Sequence, residues 1–456
     1  MAAVDLAEGA VAATSSPLKM DSKIQKTAAA KLATATCALL GTAVTVPVHA
    51  QEEPEWEFDT ALLYYGESDD RVQDISLNVL AVRNYVDDRL LSLSLGVDSL
   101  TGATPIGAMP FNGPQTFTSP SGLQVLTRPA NEIPLDDTFL DTRVALSANW
   151  QQPVGRLNVV SAGLSLSKEY DYLHLGANFK VSRDFNQRNT TVSFGLAFAS
   201  DELDPQNGAP FPFSSMPDMN DLSNRTGTKS KDVLDVVLGV TQVINRNLLV
   251  QLNYSFSSAD GYLNDPYKIV SIVDPISGDP VVRPPTPGID GPSHEYLFES
   301  RPGDHTKHSF FGQAKYYMGG KVLDASYRYM TDDWDIDSHT LDLRYRWPTG
   351  DSSYLEPHVR YYTQTHADFY RTSLANGSPL PANASADYRL GEFDAITFGL
   401  KYGWKTESGN EWNARLEMYS ADGSVPGNLL IGNQAGREIY PDLDAIIFQV
   451  GYRFGR

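Results

Sequence analysis

The fold is decided by a pattern that is clearest in Leu91-Ser92-Leu93-Ser94-Leu95-Gly96-Val97-Asp98, where apolar residues alternate with small or polar ones. Successive side chains of a β-strand point to opposite faces, so this spacing predicts a strand with one apolar and one polar face. The end of the chain repeats the pattern, with Phe448, Val450, Tyr452 and Phe454 at every second position. The sequence is therefore predicted to consist of two-faced strands.

The same alternation predicts about sixteen strands between residues 55 and 454, joined by connections of two kinds. Every second connection is short, such as 86–88 and 244–247, whereas the others include the long stretches 101–137, 201–230, 259–307, 365–391 and 421–442. Soluble β-sandwiches also alternate, but outer-membrane barrels have short periplasmic turns, long extracellular loops and an even strand number. The prediction is an all-β fold, a transmembrane antiparallel β-barrel of about sixteen strands.

Residues 1–50 are predicted to be a signal peptide. Lysines from Lys19 to Lys31 precede a weakly apolar run that closes with Val48-His49-Ala50, which is typical of export with cleavage before Gln51. A first transmembrane helix is the other interpretation, but polar residues interrupt the run. Acidic residues before Met20 are unusual in a leader, which makes Met20 an alternative translation start. Residues 51–456 are then expected to form a single outer-membrane barrel domain.

Composition narrows the class of protein further. The 456 residues include 36 Lys+Arg against 56 Asp+Glu, a formal net charge of −20, which excludes binding to nucleic acid through the phosphate backbone. The single cysteine, Cys37, lies in the predicted leader, so the mature chain is expected to have no disulfide, thiolate metal site or catalytic thiol. These features point to the outer membrane of a Gram-negative bacterium. The expected partners are outer-membrane lipid, lipopolysaccharide and the barrel assembly machinery.

Several short strings along the chain carry a resemblance to a known family. They are Asp98-Ser99-Leu100-Thr101-Gly102-Ala103-Thr104-Pro105, Asp141-Thr142-Arg143, Ser167-Lys168-Glu169-Tyr170-Asp171-Tyr172, Asn189-Thr190-Thr191, Gly261-Tyr262-Leu263-Asn264-Asp265-Pro266-Tyr267-Lys268, Arg301-Pro302, and Tyr327-Arg328-Tyr329 followed by Asp332-Asp333-Trp334. In these strings the chain resembles proteobacterial outer-membrane proteins catalogued as a domain of unknown function, number 3570. The resemblance implies a single barrel and no known activity. It also implies a small envelope lipoprotein as a partner, because members are often encoded near one.

Charged residues recur two positions apart in neighbouring predicted strands, and residues at that spacing share a face. We predict that they line one side of the lumen. The set is Asp141, Arg143, Lys315, Asp324, Arg328, Asp342, Arg344, Arg346, Glu356, His358, Arg360, Lys401, Arg415 and Glu417. One interpretation is a selectivity surface, because charged side chains set the ion preference of pores. The other is a network of ion pairs that fills the lumen and stabilises the wall.

A short external loop carries carboxylates at Asp333, Asp335 and Asp337. Oxygen ligands of this kind suit Ca²⁺ or Mg²⁺, yet the glycine and the closing glutamate of an EF-hand loop are missing. The sequence therefore predicts only a weak Ca²⁺ or Mg²⁺ site here, and a solvated acidic loop is the alternative.

No catalytic residues, cofactor or enzymatic activity are predicted. Ser338-His339 beside Asp337 is the nearest approach to a Ser-His-acid set, but adjacent residues in a strand point to opposite faces. The sequence contains no phosphate-binding glycine loop or dinucleotide motif. Two functions remain open: a porin-like channel for small hydrophilic solutes, and a non-conducting barrel that acts as scaffold, receptor or export partner for another envelope component.

Overall fold

The computed structural model of the chain describes residues 56–69, 71–85, 87–119 and 121–455. The predicted signal peptide, its cleavage site before Gln51 and the alternative start at Met20 lie outside the described residues. Sixteen strands form the barrel, in the order Trp56–Glu67, Gln73–Asn84, Leu90–Pro105, Leu135–Val154, Asn158–Lys168, Tyr172–Phe185, Thr190–Leu203, Lys229–Asn245, Leu248–Gly261, Asp304–Met318, Lys321–Asp332, Asp337–Pro348, Ser353–Gln364, Glu392–Lys405, Glu411–Ser424 and Leu443–Gly455.

The barrel closes because its first and last strands pair. Trp56–Glu67 runs antiparallel to Leu443–Gly455, with Leu62 opposite Val450, and each other strand pairs with its neighbours along the chain. A closed sheet has no unpaired edge, which is what a sheet in lipid requires. The predicted sixteen-stranded antiparallel barrel is thus confirmed.

The two faces of the wall differ as the alternation predicts. Leu62 and Ile75 are 55% and 58% exposed on the outside, whereas their neighbours Leu63 and Asp74 are 2% and 4% exposed. The outer surface is a continuous apolar band of this kind, and the inner surface is mainly polar, charged or small. This is the arrangement of a membrane-spanning barrel. Among the described residues, no helix is long and apolar enough to cross a membrane.

Short turns join the strands at one end of the barrel, and most connections at the other end are long. Residues 246–247 and 319–320, for example, are the whole of two connections at the short-turn end. The long connections contain secondary structure of their own: the strands Gln115–Thr118, Val125–Arg128, Ala209–Pro210, Arg225–Thr226, Ile269–Val273, Tyr296–Phe298 and Ser373–Ala375, and the 3-10 helices Tyr388–Leu390, Gly427–Leu429 and Gly432–Gly436. One further 3-10 helix, Asn186–Arg188, lies in a short turn.

The long connections 101–137, 201–230, 259–307, 365–391 and 421–442 pack together into a single body, called the cap below. Its central sheet holds Ile269–Val273 between Tyr296–Phe298 and Ser373–Ala375. Apolar side chains from separate loops form its core, which includes Ile106, Phe117, Met216, Ile269 and Phe298, and Gln434 joins the fifth loop by donating to Gly278 O and Ser373 Oγ. Because these loops leave the rim at well-separated points and pack against one sheet and its apolar core, the cap lies across the mouth.

Candidate functional site: the charged wall of the lumen

All fourteen predicted charged positions alternate with outward-facing residues, which places their side chains on the inner face of the wall. Leu343 is 38% exposed on the outside between Asp342 and Arg344, and Tyr361 is 43% exposed beside Arg360. Most of the set lies on six consecutive strands, from Asp304–Met318 to Glu411–Ser424. We call this region the charged wall. Asp141 and Arg143 lie apart from it, on the strand Leu135–Val154.

The centre of the charged wall is His358. Its Nε2 lies 2.9 Å from Asp342 Oδ2 and its Nδ1 lies 2.9 Å from Glu417 Oε1. Arg344 Nη2 is 3.2 Å from the same Asp342 oxygen, and Arg415 Nη1 is 3.7 Å from Glu417 Oε1. An ionised carboxylate only accepts hydrogen bonds, so an imidazole between two of them donates from both nitrogens and is in its cationic form. The contact between His358 and Glu417 spans the intervening strand Glu392–Lys405, whereas His358 and Asp342 lie on paired strands. The cluster therefore joins three strands of the wall.

Towards the short-turn end, the wall is closed by a second set of contacts. The Arg346 guanidinium lies 3.4 Å from the centroid of the Tyr354 ring, and its Nη2 is 3.8 Å from Glu411 Oε1. The Tyr354 hydroxyl donates to Glu411 at 2.8 Å. Gly403 makes room for this ring, because a Cβ there would lie 2.2 Å from Tyr354 Cζ. Sequence reasoning missed Glu411, although it lies four residues before Arg415 and therefore on the same strand face.

Lys401 and Glu356 are a buried pair of opposite charges among the predicted residues. They occupy directly opposed positions on paired strands and are 5% and 4% exposed. Opposite charges at such positions attract each other across the strand pair. They are part of the packed interior of the charged wall.

One edge of the charged wall is open to solvent. Lys315 Nζ lies 2.9 Å from Asp324 Oδ2, and the lysine side chain is 34% exposed. Arg328 is exposed, its guanidinium lies 5.7 Å from the centroid of the Phe311 ring, and no carboxylate of the described residues lies within ion-pairing distance. Tyr327, its neighbour in the strand, is 48% exposed on the outside. Because the strand is exposed on both faces, the lumen has space for solvent beside Arg328.

The remaining predicted residues lie near the rim at the cap end. Arg143 Nε is 2.6 Å from Asp98 Oδ2. The carboxylates of Asp141, Glu169 and Asp171 come within 4.8 Å of one another, which the sequence reasoning did not predict. Glu169 lies in the connection after its strand, and burial raises the pKa of its carboxyl.

The carboxylates of Asp333, Asp335 and Asp337 do not form a comparable set among the described residues. Asp333 Oδ1 accepts the Thr306 N–H at 2.9 Å, and Asp337 Oδ1 accepts the Tyr329 hydroxyl at 2.9 Å. The side chains of Asp333 and Asp337 therefore bind two different strands. The predicted Ca²⁺ or Mg²⁺ site has no convergent ligand geometry here.

Residues from several of the sequence segments that carry the family resemblance contact each other at the same rim. Asp98 pairs with Arg143, the Tyr267 hydroxyl donates to Asp171, and Lys268 Nζ donates to the Pro105 carbonyl. The family described as "Protein of unknown function (DUF3570)" matches residues 29–454. The chain belongs to this family. No curated protein matches this DUF3570 member.

Solved structures similar to this DUF3570 barrel are outer-membrane proteins. A bacterial polysaccharide outer membrane secretin is 9% identical, with 89% of this chain and 100% of that chain covered and a TM-score of 0.41. The outer membrane protein OpdK from Pseudomonas aeruginosa is 10% identical, with 89% and 99% covered and a TM-score of 0.36. The siderophore receptor PirA from Acinetobacter baumannii is 8% identical, with 82% and 54% covered and a TM-score of 0.39. These similarities identify no solute or partner of this chain.

Proposed function

We propose that this protein is a channel in the outer membrane of a Gram-negative bacterium that passes small hydrophilic solutes, with anions preferred over cations. The observation that carries the proposal is Arg328, a cation exposed in the lumen with no carboxylate partner among the described residues. Arg360 lies near enough to act on it as a like charge. The low-dielectric protein around a pore focuses the electric field of an uncompensated charge into the lumen. Such charges set the ion preference of pores.

The outer surface supports the membrane placement. Near the short turns, ring centroids follow each other from Trp404 to Trp412 at 6.4 Å, to Tyr452 at 4.3 Å and to Phe454 at 5.1 Å. Aromatic side chains in this position form the interfacial girdles of outer-membrane barrels. Outer-membrane lipid and lipopolysaccharide are therefore the proposed surroundings, and the aromatic final strand Leu443–Gly455 is the proposed signal to the barrel assembly machinery.

The test is ion selectivity in planar bilayers. The wild-type protein should show a reversal potential in a KCl gradient that favours chloride, and Arg328→Gln should shift it towards potassium. The matched control is Arg183→Gln, because Arg183 is exposed on the outer side, over the Phe185 ring at 5.5 Å. An unchanged reversal potential in Arg328→Gln, or an equal shift in the control, would contradict the anion preference.

A specific observation favours a second candidate, a non-conducting barrel that serves as receptor or scaffold. The cap has its own apolar core and covers the mouth, with Val270 and Val273 0% exposed. A rigid surface built on such a core suits recognition of another envelope component, and the small envelope lipoprotein implied by the family resemblance is the partner proposed for it.

The two candidates separate when the cap is weakened. Recordings with Asp387→Asn, which removes a charge from the centre of the cap, should show more conductance than the wild type if the barrel is a channel. Absence of conductance in both forms, together with co-purification of a small lipoprotein with the full-length chain, would favour the scaffold.

A further inference from the structure

Three polar residues on adjacent strands, away from the charged wall, form a connected row that faces the lumen. Ser165 lies in Asn158–Lys168, His174 in Tyr172–Phe185 and Asp201 in Thr190–Leu203. Ser165 Oγ is 3.2 Å from His174 Nε2, and His174 Nδ1 is 2.7 Å from Asp201 Oδ1. We propose that these residues are a catalytic triad that hydrolyses small acyl esters inside the lumen.

The connectivity is that of a serine hydrolase. In such triads the acid accepts from Nδ1 and the serine hydroxyl contacts Nε2, which leaves the Nε2 lone pair free to take the serine proton. Both of these contacts are present here, and each lies within hydrogen-bond reach. The catalytic roles are therefore Ser165 as nucleophile, His174 as general base and then acid, and Asp201 as the residue that orients the imidazole.

Asp201 is held so that one oxygen faces the histidine. Its side chain is 4% exposed. The Tyr172 hydroxyl donates to Oδ2, and Lys231 Nζ lies 3.4 Å from the same atom. These contacts stabilise the ionised carboxylate and leave Oδ1 for the histidine N–H, which selects the tautomer that the mechanism needs.

The glycines of this wall provide the space for the site. Gly176 lies directly opposite Ser165, and a Cβ on it would lie 2.3 Å from Ser165 Oγ and 2.9 Å from His174 Nε2. Any larger residue at 176 would push the hydroxyl and the imidazole apart. The backbone thus leaves a gap where the nucleophile meets its base.

An amide donor lies on the same face. A Cβ on Gly163, two residues before Ser165, would lie 2.8 Å from Asn178 Nδ2. Asn178 Oδ1 accepts from Asn149 Nδ2 at 3.2 Å, and its own Nδ2 makes no hydrogen bond to another described residue. Backbone N–H groups in a strand are used by the ladder, so a side-chain amide is the available donor for an oxyanion. Asn178 takes that role in the proposal.

The site is open towards the lumen and closed behind. Ser165 is partly exposed and the His174 side chain is 29% exposed, while the Asp201 side chain is buried. The neighbouring inward positions Ser147 and Ser167 carry small side chains. Small side chains at these positions favour access of a short acyl ester to Ser165.

Water is the only reagent besides the ester that the proposed hydrolysis needs. Ser165 Oγ attacks the ester carbonyl carbon while its proton passes to His174 Nε2, and the Asn178 amide stabilises the oxyanion. The C–O bond of the ester then breaks, and His174 gives the proton to the leaving alcohol. Water, activated by His174, attacks the acyl-serine in the same way and releases the carboxylic acid.

The first experiment labels the nucleophile in the full-length purified protein. A fluorophosphonate probe should modify Ser165, as located by peptide mass spectrometry, and p-nitrophenyl acetate should be hydrolysed. Ser165→Ala should abolish both signals, and His174→Gln should slow labelling on the order of 10³-fold. The matched control is Ser255→Ala, since Ser255 is a partly exposed serine on the inner face of the strand Leu248–Gly261 and lies apart from the row of Ser165, His174 and Asp201. It should react as the wild type does.

The second experiment establishes that a small reagent reaches the site. Ser165→Cys in a Cys37→Ser background should react with a small methanethiosulfonate. If this cysteine reacts while the wild-type serine takes no fluorophosphonate, the three residues only brace the wall and the proposal is wrong. An unreactive cysteine would also overturn it, because substrate could not then reach Ser165. Channel conductance is measured independently, so failure of the triad and failure of the channel are distinguishable.

Discussion

The molecule has one network of charged side chains in the cap and another in the charged wall of the barrel. The cap network joins Asp265, Glu299 and Asp387 to Lys268, Arg301 and Arg389. Arg301 Nη2 is 2.8 Å from Asp387 Oδ2, and Arg389 Nη2 is 2.7 Å from Asp265 Oδ2. Each carboxylate there has a cationic neighbour. In the charged wall, by contrast, the open edge at Arg328 has no such compensation.

This difference in charge compensation indicates which network stabilises the structure and which acts on solutes. A buried, balanced network that connects loops of distant origin stabilises one arrangement of those loops, and losing one member leaves its partners uncompensated. A charge on a solvated edge contributes little to folding but acts on ions that pass. The cap network should therefore control opening, and the edge of the charged wall should control selectivity.

The largest effect is expected from Asp387→Asn. Asp387 is fully buried between Arg301 and Arg389, and the substitution leaves two guanidiniums without their shared charge, at a cost of about 3–5 kcal/mol. Limited proteolysis should then cut within 259–307 and 365–391. The control is Asp368→Asn, an exposed carboxylate of the same loop with no ion pair to the described residues. Equal resistance of Asp387→Asn and wild type would show that the network does not hold the cap.

A smaller effect is expected from acid. Burial opposes ionisation of Asp387 and Asp265, but the neighbouring cations outweigh it and lower the pKa of both carboxyls. Their contribution to the stability of the cap is present above the ordinary pKa value near 4 and is progressively lost as pH falls below it. Burial raises the pKa of the Glu299 carboxyl. Protonation of Glu299 therefore stabilises the cap at mildly acidic pH, before Asp265 and Asp387 lose their charges. Proteolysis of the cap should thus be slowest at mildly acidic pH and faster at pH 3, and the acid response should shrink in Asp387→Asn.

Glu417→Gln tests the buried part of the charged wall. Glu417 is 2% exposed and accepts from His358, so loss of its charge should destabilise the barrel by about 1–3 kcal/mol. The measurement is the temperature of unfolding on semi-native gels. Glu407→Gln, in an exposed short turn, should leave that temperature unchanged. An unfolding temperature of Glu417→Gln equal to that of the wild type would contradict the structural role assigned to this part of the wall.

The smallest effect is expected at the open edge. Lys315→Gln breaks a pair with Asp324 that is partly exposed, and pairs of that kind contribute under about 1 kcal/mol. Unfolding should hardly change, while the reversal potential should shift towards cations. A large loss of stability without a shift in selectivity would show that this edge acts on structure, and it would contradict the selectivity role assigned to the open edge.

Local pattern was sufficient for the barrel because the period of a strand is a property of neighbouring residues. The alternation, clearest at Leu91–Asp98 and in the aromatic final strand, predicted two-faced strands and their approximate number, and the short and long connections predicted an outer-membrane barrel. The inward position of Arg344 or Glu417 follows from the same period. None of this needed knowledge of which strands lie side by side.

What the tertiary structure alone decided are contacts that depend on register and on loop packing. Glu411 reaches Arg346 and Tyr354 across intervening strands, and Ser165, His174 and Asp201 meet only because three strands are aligned at those positions. The cap is built by loops far apart in sequence, so neither its sheet nor its buried ion network has a local signature. Strand period is encoded within a few residues, whereas register, barrel closure and loop packing depend on many weak contacts between distant segments, and a pattern read along the chain does not contain them.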